Sequence, residues 1–299
     1  MSYCLRRRII PALLLIMQLS VIVVSSARAG EGQLLWQVSS RSGTAYLLGS
    51  IHFGKPDMYP LAPAVMDAFA KSDALVVEAN IMDVDPLMVA QMVAGQGMYT
   101  DGSSLKNHIE PETWQALSDA AMRYGVPVEL FQAQKPWLAS VTLVTLALKH
   151  NGYSEGLGID RFFMQRANKK KPIIELESIS GQFDLFASLS EAEQELFLSQ
   201  TLKEVEQGGE YLDTMMGAWK NGDAAEMDSV ITASFRATPG TKRFYKLFFL
   251  DRNNAMTTKI QALLKEGKTY FIVVGAGHLV GKNGIVELLR QKGYQIRAL

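Results

Sequence analysis

Two short apolar runs of this chain close in the same way. Thr44-Ala45-Tyr46-Leu47-Leu48 leads into Gly49-Ser50-Ile51-His52, and Tyr270-Phe271-Ile272-Val273-Val274 leads into Gly275-Ala276-Gly277-His278. Runs of this length, rich in β-branched and aromatic residues and punctuated by glycine, read as buried strands. Two further runs end on carboxylates: Ala74 to Val77 before Glu78, and Pro172-Ile173-Ile174 before Glu175-Leu176-Glu177. Leu34 to Val38 pairs with the first histidine-bearing run as a hairpin around Ser42-Gly43, and Tyr294 to Arg297 supplies a last strand.

Between these strands the apolar spacing turns helical. Pro60 to Lys71 places Val65, Met66 and Phe69 on one face. Pro111 to Tyr124 opens with Pro-Glu, as helix starts often do. Trp137 to Lys149 is apolar and too long for one strand, so it reads as a buried helix. Gly156-Leu157-Gly158-Ile159-Asp160 opens another, and Ser190-Glu191-Ala192-Glu193 is a capping box for a helix to about Gln207. Further helices follow from Tyr211 to Trp219, Ala224 to Phe235, a long one from Phe244 to Leu264, and Ile285 to Lys292. The ends give strands, the middle gives helices, and no long linker intervenes. The expected fold is one α+β domain over residues 30–299 with a helical insertion.

The leading segment is set aside from the fold. Arg6, Arg7 and Arg8 precede an apolar stretch from Ile9 to Val24, and Ala27-Arg28-Ala29 offers small residues at the positions a signal peptidase reads. Residues 1–29 are expected to be a cleaved Sec-type signal peptide, which makes the mature chain periplasmic or secreted. The single cysteine, Cys4, falls inside it, so neither a disulfide nor a cysteine nucleophile is available afterwards. The full chain balances 30 basic against 30 acidic residues. Loss of the leader arginines leaves it mildly acidic, with no basic stripe for nucleic acid. A second hydrophobic span is lacking, so no membrane association is expected after cleavage.

Candidate chemistry gathers at the strand ends. His52, Glu78, Glu177 and His278 each terminate an apolar run, and strands of one sheet, or of facing sheets, would bring such ends together. Two imidazoles with one or two carboxylates suit Mn²⁺, Co²⁺, Fe²⁺ or Zn²⁺ with positions left for water. Such a cation acidifies its water, and a free carboxylate can take the proton. Against this stands a plainer reading, in which strand-end glutamates are solvated or cap helices and single histidines are structural; the shared glycine context lifts His52 and His278 above it. Glu175 shares a strand face with Glu177 and stays open. Arg252 and Asn253 interrupt an apolar helix, where a guanidinium faces either a cleft or solvent. His108 and His150 read as structural, and Asp160-Arg161 as a helix cap and dipole pair. No His-Glu-x-x-His or Gly-x-Ser-x-Gly occurs, and Gly277 to Lys282 is too short for a phosphate loop.

Taken in order, Leu48-Gly49-Ser50-Ile51-His52-Phe53-Gly54, Val76-Val77-Glu78, Lys135-Pro136-Trp137, Gly158-Ile159-Asp160, Ile174-Glu175-Leu176-Glu177, Arg252-Asn253 and Val274 to Gly281 resemble the TraB/PrgY/GumN family, whose animal relatives are the Tiki proteins. The resemblance implies a fold in which paired small β-sheets, related by a pseudo-twofold duplication, carry the two Gly-x-x-His units. It also implies, through the Tiki relatives, a metal-dependent protease. The expected function is an exported metal-dependent hydrolase acting on peptides or unstructured protein segments. A divalent cation (Mn, Co or Zn) would be held by His52, His278 and Glu78, with Glu78 as ligand or base. Glu177 would complete or orient the site, and Arg252 would bind a substrate carbonyl or carboxylate. Two rivals remain: a metal-independent esterase-like hydrolase with His52 or His278 as base, as the related erythromycin-esterase group suggests, and a non-catalytic protein that sequesters a peptide, as plasmid-encoded relatives do.

Overall fold

Strands form where the apolar runs lie: β1 at Leu35–Ser39, β2 at Thr44–Ser50, β3 at Ala74–Val77, β4 at Ile173–Glu175, β5 at Thr269–Gly275 and β6 at Gln295–Ala298. The computed structural model describes residues 33–168, 170–237 and 240–299, and the leader expected at 1–29 lies outside them. All six strands join one mixed sheet in the order β4-β3-β5-β2-β1-β6. The α+β character therefore stands, while the small sheets expected as a pair are fused into one. The reason lies in β5. Tyr270 to Val274 are all buried, so this strand needs neighbours on both edges and cover on both faces. It obtains them by pairing in parallel with β2 on one side and β3 on the other. β4 extends the parallel half, and β1 pairs antiparallel with both β2 and β6.

Parallel pairing aligns the carboxyl ends of β4, β3, β5 and β2 along one edge. Ser50 stands opposite Gly275, and Val77 stands opposite both Val273 and Glu175. Open sheets place their ligand crevices outside this edge. The helix Ile159–Ala167 covers the sheet beside it, burying Ile159, Phe163, Met164 and Ala167. The Phe163 ring meets those of Phe69 and Phe271 at 5.1 and 4.7 Å. A second apolar cluster, with Leu117, Phe131, Leu143 and Leu198, joins the helices Pro111–Arg123, Pro136–His150 and Glu191–Glu206 away from the sheet. Among the described residues no helix is long and apolar enough to cross a membrane.

Two departures from the expected helices matter at the site. The first helix begins at Pro63, not Pro60. The long helix is not uniform: Lys242–Tyr245 is followed by a π-helical turn at Lys246–Leu250 before regular helix resumes at Asp251–Leu263. A π turn inserts an extra residue and rotates the helix beyond it, and such turns concentrate at functional sites. Here it sits immediately before Arg252 and Asn253.

The loop after β2 is held by close backbone contacts. Gly54 pairs with Ser154, and the Ile159 N–H donates to the Ile51 carbonyl at 3.0 Å. A Cβ on Gly158 would overlap the His52 carbonyl oxygen, so only glycine allows this approach. The buried Trp219 Nε1–H donates to the Gly49 carbonyl at 2.7 Å, closing the other side. Gly158→Ala is expected to destabilise the fold by about 2 kcal/mol, as overpacking against backbone does. Urea denaturation reads this directly, and a midpoint unchanged from wild type would show that the two segments can part without cost.

Candidate functional site

β5 and its two parallel neighbours bring the polar strand ends together. Gly275, the last residue of β5, donates its N–H to Glu78 Oε1 at 2.6 Å. A Cβ placed on Gly275 would stand 3.2 Å from Glu78 Oε1, 3.6 Å from His278 Cδ2 and 3.9 Å from His52 Nε2. Thus both histidines and the first glutamate converge on one small space, which a Cβ would enter only in tight contact with Glu78. His278 reaches it from the single turn Ala276–Leu279, and its Nε2 lies 3.9 Å from Glu78 Oε1.

Each imidazole is oriented through its far nitrogen. His52 Nδ1 is 2.9 Å from Asp160 Oδ2, and Ser50 Oγ–H donates to Asp160 Oδ1 at 2.8 Å. His278 Nδ1 is 2.6 Å from Asn253 Oδ1, while the Asn253 amide donates to the Asn283 carbonyl at 2.8 Å. That amide's donation fixes its oxygen toward His278, so the imidazole donates from Nδ1. Nε2 then keeps its lone pair toward the shared space. The rings differ in exposure: the His52 side chain is 64% exposed, that of His278 only 7%.

The carboxylates are bound to one guanidinium. Arg252 Nη2 donates to Glu78 Oε2 at 2.7 Å and to Glu177 Oε2 at 2.6 Å, and its Nε donates to Glu177 Oε1 at 2.9 Å. The third arm, Nη1, reaches back to the Phe248 carbonyl at 3.2 Å, inside the π turn. The sequence points Arg252 at a substrate; in the structure its donors are engaged by protein acceptors. Gln182 Nε2 also donates to Glu177 Oε2 at 3.1 Å.

These contacts set the charge states. Burial would raise the Glu78 carboxyl pKa, but His278, His52, Arg252 and the Gly275 N–H outweigh it and bring it down to about 2. Burial dominates at His278 and lowers it to about 4 against the upward pull of Glu78, so this ring is neutral at pH 7. Asp160 is the largest influence on His52 and raises its pKa above the ordinary histidine value, with burial opposing. At neutral pH the ionised Glu78 is therefore set beside two cations, Arg252 and protonated His52.

Of the residues expected at the site, His52, Glu78, Glu177, His278 and Arg252 meet there. Glu175 does not: it is exposed and accepts the Asn80 N–H at 2.6 Å. His108 stacks on Tyr99 and His150 lies edge-on to Tyr124, away from this network. Asp160 corrects the sequence reading. It is buried and caps nothing, since the helix begins after Gly158 with no side-chain cap. Its signal in the sequence is faint, an acid between apolar residues at a helix start. Ser50 and Gln182 give none. Among the described residues no group of three or more His, Cys, Asp or Glu side chains is spaced to hold a metal ion as it stands.

The TraB/PrgY/gumN family profile matches residues 34–298, and the chain belongs to that family. It is similar to the uncharacterised protein YbaP of Shigella flexneri, 29% identical over 247 residues, 82% of this chain and 88% of that protein. An uncharacterised protein of Treponema pallidum (strain Nichols) is 20% identical over 298 residues, 95% of this chain and 88% of its own. A shorter likeness, 45% identity over 47 residues, joins it to Metalloprotease TIKI2 of Xenopus tropicalis and covers 15% of this chain and 9% of that protein. No solved structure gives a significant match.

Removing the Arg252 charge leaves Glu78 and Glu177 facing each other in a largely dry space. Arg252→Gln is expected to destabilise the fold by about 3 kcal/mol at pH 7, as breaking a buried ion pair from one side does. The sign with pH follows from Glu78. Its pKa falls from 4.5 to about 2 on folding, so the stability it contributes is full above pH 4.5 and is lost as pH falls toward 2. The deficit of the variant relative to wild type should therefore shrink between pH 7 and pH 3. Urea titrations at both pH values that return equal deficits would contradict this account of the clamp.

Proposed function

We propose that this family member is a metal-dependent hydrolase acting on peptides or unstructured protein segments outside the cytoplasm. The observation that carries the reading is the convergence of His52 Nε2, His278 and Glu78 Oε1 on the space at Gly275, each imidazole backed by a hydrogen bond to its far nitrogen. Histidines that ligate metals are oriented in this way by carboxylates or carbonyl oxygens. The donor types suit a divalent cation, two imidazoles and one carboxylate, although the three do not stand at ligand spacing. Mn²⁺, Co²⁺ and Zn²⁺ all accept such donors, and His52, His278 and Glu78 would hold the ion. When bound, it would acidify a water and polarise the scissile carbonyl.

The rest of the network serves these three side chains. Asp160 and Ser50 fix His52, and Asn253 fixes His278. Arg252, with Glu177 on its other side, holds the Glu78 carboxylate in place and keeps it ionised, so it stays competent to bind a cation or accept a proton. The exposed His52 ring lies at the opening, where an extended chain can reach it. The likeness to Metalloprotease TIKI2 points the same way, over a short stretch. The leader expected at residues 1–29 supports an activity in the periplasm or outside the cell.

One observation favours a second reading. The 2.9 Å contact between His52 Nδ1 and Asp160 makes a carboxylate–imidazole dyad, which would serve as a general base without a metal at a pH high enough to deprotonate the ring.

Elemental analysis after reconstitution with Mn²⁺, Co²⁺ or Zn²⁺ is expected to find about one ion per chain, lost in His278→Ala and in His52→Ala. Hydrolysis of a quenched fluorescent peptide library should follow the metal and stop on chelation. Substoichiometric metal with every cation tried would sink the proposal. Ester turnover that survives chelation and disappears in Asp160→Asn would transfer the chemistry to the dyad.

A further inference from the structure

Outside the strand-end site, a concavity lies between the loop after His52 and the outer face of the helix Ile159–Ala167. It has a volume of about 710 Å³ and is lined by Tyr59, Leu61, Met66, Leu157, Phe162 and Arg166 among others. That volume lies within the range of sites for small molecules, which are mostly apolar with a few placed polar groups. The walls here are apolar and aromatic. The Tyr59 hydroxyl is engaged, donating to the Leu157 carbonyl at 2.9 Å, and the Tyr59 ring packs 5.0 Å from that of Phe162.

The cation in this wall is Arg166. Its guanidinium carbon lies 3.4 Å from the Phe162 ring centroid, so the ring occupies one face of the group. Stacking leaves the in-plane N–H donors unused, and these are the donors that fit both oxygens of a carboxylate. Among the described residues Arg166 pairs with no carboxylate, whereas Arg161 on the same helix and Arg252 do. A preformed, aromatic-backed guanidinium beside an apolar cleft is complementary to one ligand chemistry: an apolar body that carries a single carboxylate.

We propose that this cleft binds a small apolar monocarboxylate, with the carboxylate on Arg166 and the body against Leu61, Met66 and Leu157. The binding requires neither a metal nor hydrolysis at the strand-end site. Two sources share the chemistry, the free carboxyl end of a peptide with an apolar last residue and a medium-chain fatty acid. N-acetyl-leucyl-phenylalanine and decanoate represent them, with the carboxamide of the dipeptide and the methyl ester of the acid as neutral partners.

Isothermal titration and NMR on the folded protein test the proposal. At least one acid should bind, with intermolecular contacts to the methyl groups of Leu61, Met66 and Leu157, and whichever binds identifies the source. Arg166→Gln should weaken it about tenfold or more, since hydrogen bonds to charged groups are of that order. The neutral partner should bind the native protein and the variant alike weakly. Arg166 is exposed, so the variant should unfold at the native midpoint, which separates loss of binding from loss of fold. Failure of both acids to bind, binding that survives Arg166→Gln, or contacts mapped elsewhere would each overturn the assignment.

Discussion

The parallel pairing of Thr44–Ser50 with Thr269–Gly275 joins the two ends of the chain, and its register decides where both histidines lie. Ser50 stands opposite Gly275, so the glycine that closes one strand neighbours the residue that carries the other toward His52. A slip by one residue would reverse which face each side chain occupies. Leu47, Leu48 and Tyr270 to Val274 are all buried, so this pairing lies at the centre of the core. The core of the sheet and the geometry of the site are therefore consequences of one pairing. β3 adds Glu78 by pairing with the far edge of β5, and the Gly275 N–H that would otherwise lack a partner at the sheet edge binds the carboxylate.

Such a site concentrates charge where solvent is scarce. Arg252, Glu78 and Glu177 have side chains no more than 16% exposed, and ions so placed lose most of their hydration. Their arrangement recovers this because every nitrogen of the guanidinium has a partner: Nε and Nη2 bind the two carboxylates and Nη1 binds a backbone carbonyl. An arrangement that is expensive to desolvate and easy to break is weak ground for a purely stabilising role. It is better suited to holding a carboxylate ionised and immobile next to two imidazoles, where a mobile or protonated Glu78 would be useless to a cation or to a substrate.

Much of this is legible in the chain, and the limits have physical causes. The strand ends can be read because apolar periodicity and terminal glycine are local signals. That β5 fuses two small sheets into one cannot, since the choice of neighbours depends on residues far apart in sequence. The five main site residues stand out because each interrupts or ends an apolar pattern. Asp160 reads as a cap because its partners, Ser50 and His52, lie more than a hundred residues earlier, beyond one strand and several helices, and the same acid at a helix start is normally a cap. Asn253 draws notice only beside Arg252. Its role depends on the π turn at Lys246–Leu250, which has no sequence signature and rotates the helix by an amount that a regular heptad pattern hides.

The two Gly-x-x-His units are nearly interchangeable as sequence, yet their imidazoles end in opposite states. His52 is exposed and backed by a carboxylate, which favours the protonated ring; His278 is buried and backed by an amide oxygen, which fixes its tautomer without adding charge. The difference follows from the elements behind each ring. The helix that opens at Ile159 presents Asp160 to the mouth of the site, whereas the helix after the π turn presents Asn253 from within the core. Placing two groups of one kind in environments that pull their proton affinities apart is how a site obtains distinct proton-handling roles from a single residue type. If both rings were backed by carboxylates, both would be made more basic; if both were backed by amide oxygens, neither would be. The asymmetry leaves one ring buried and neutral and the other a basic group open to solvent at the same strand edge.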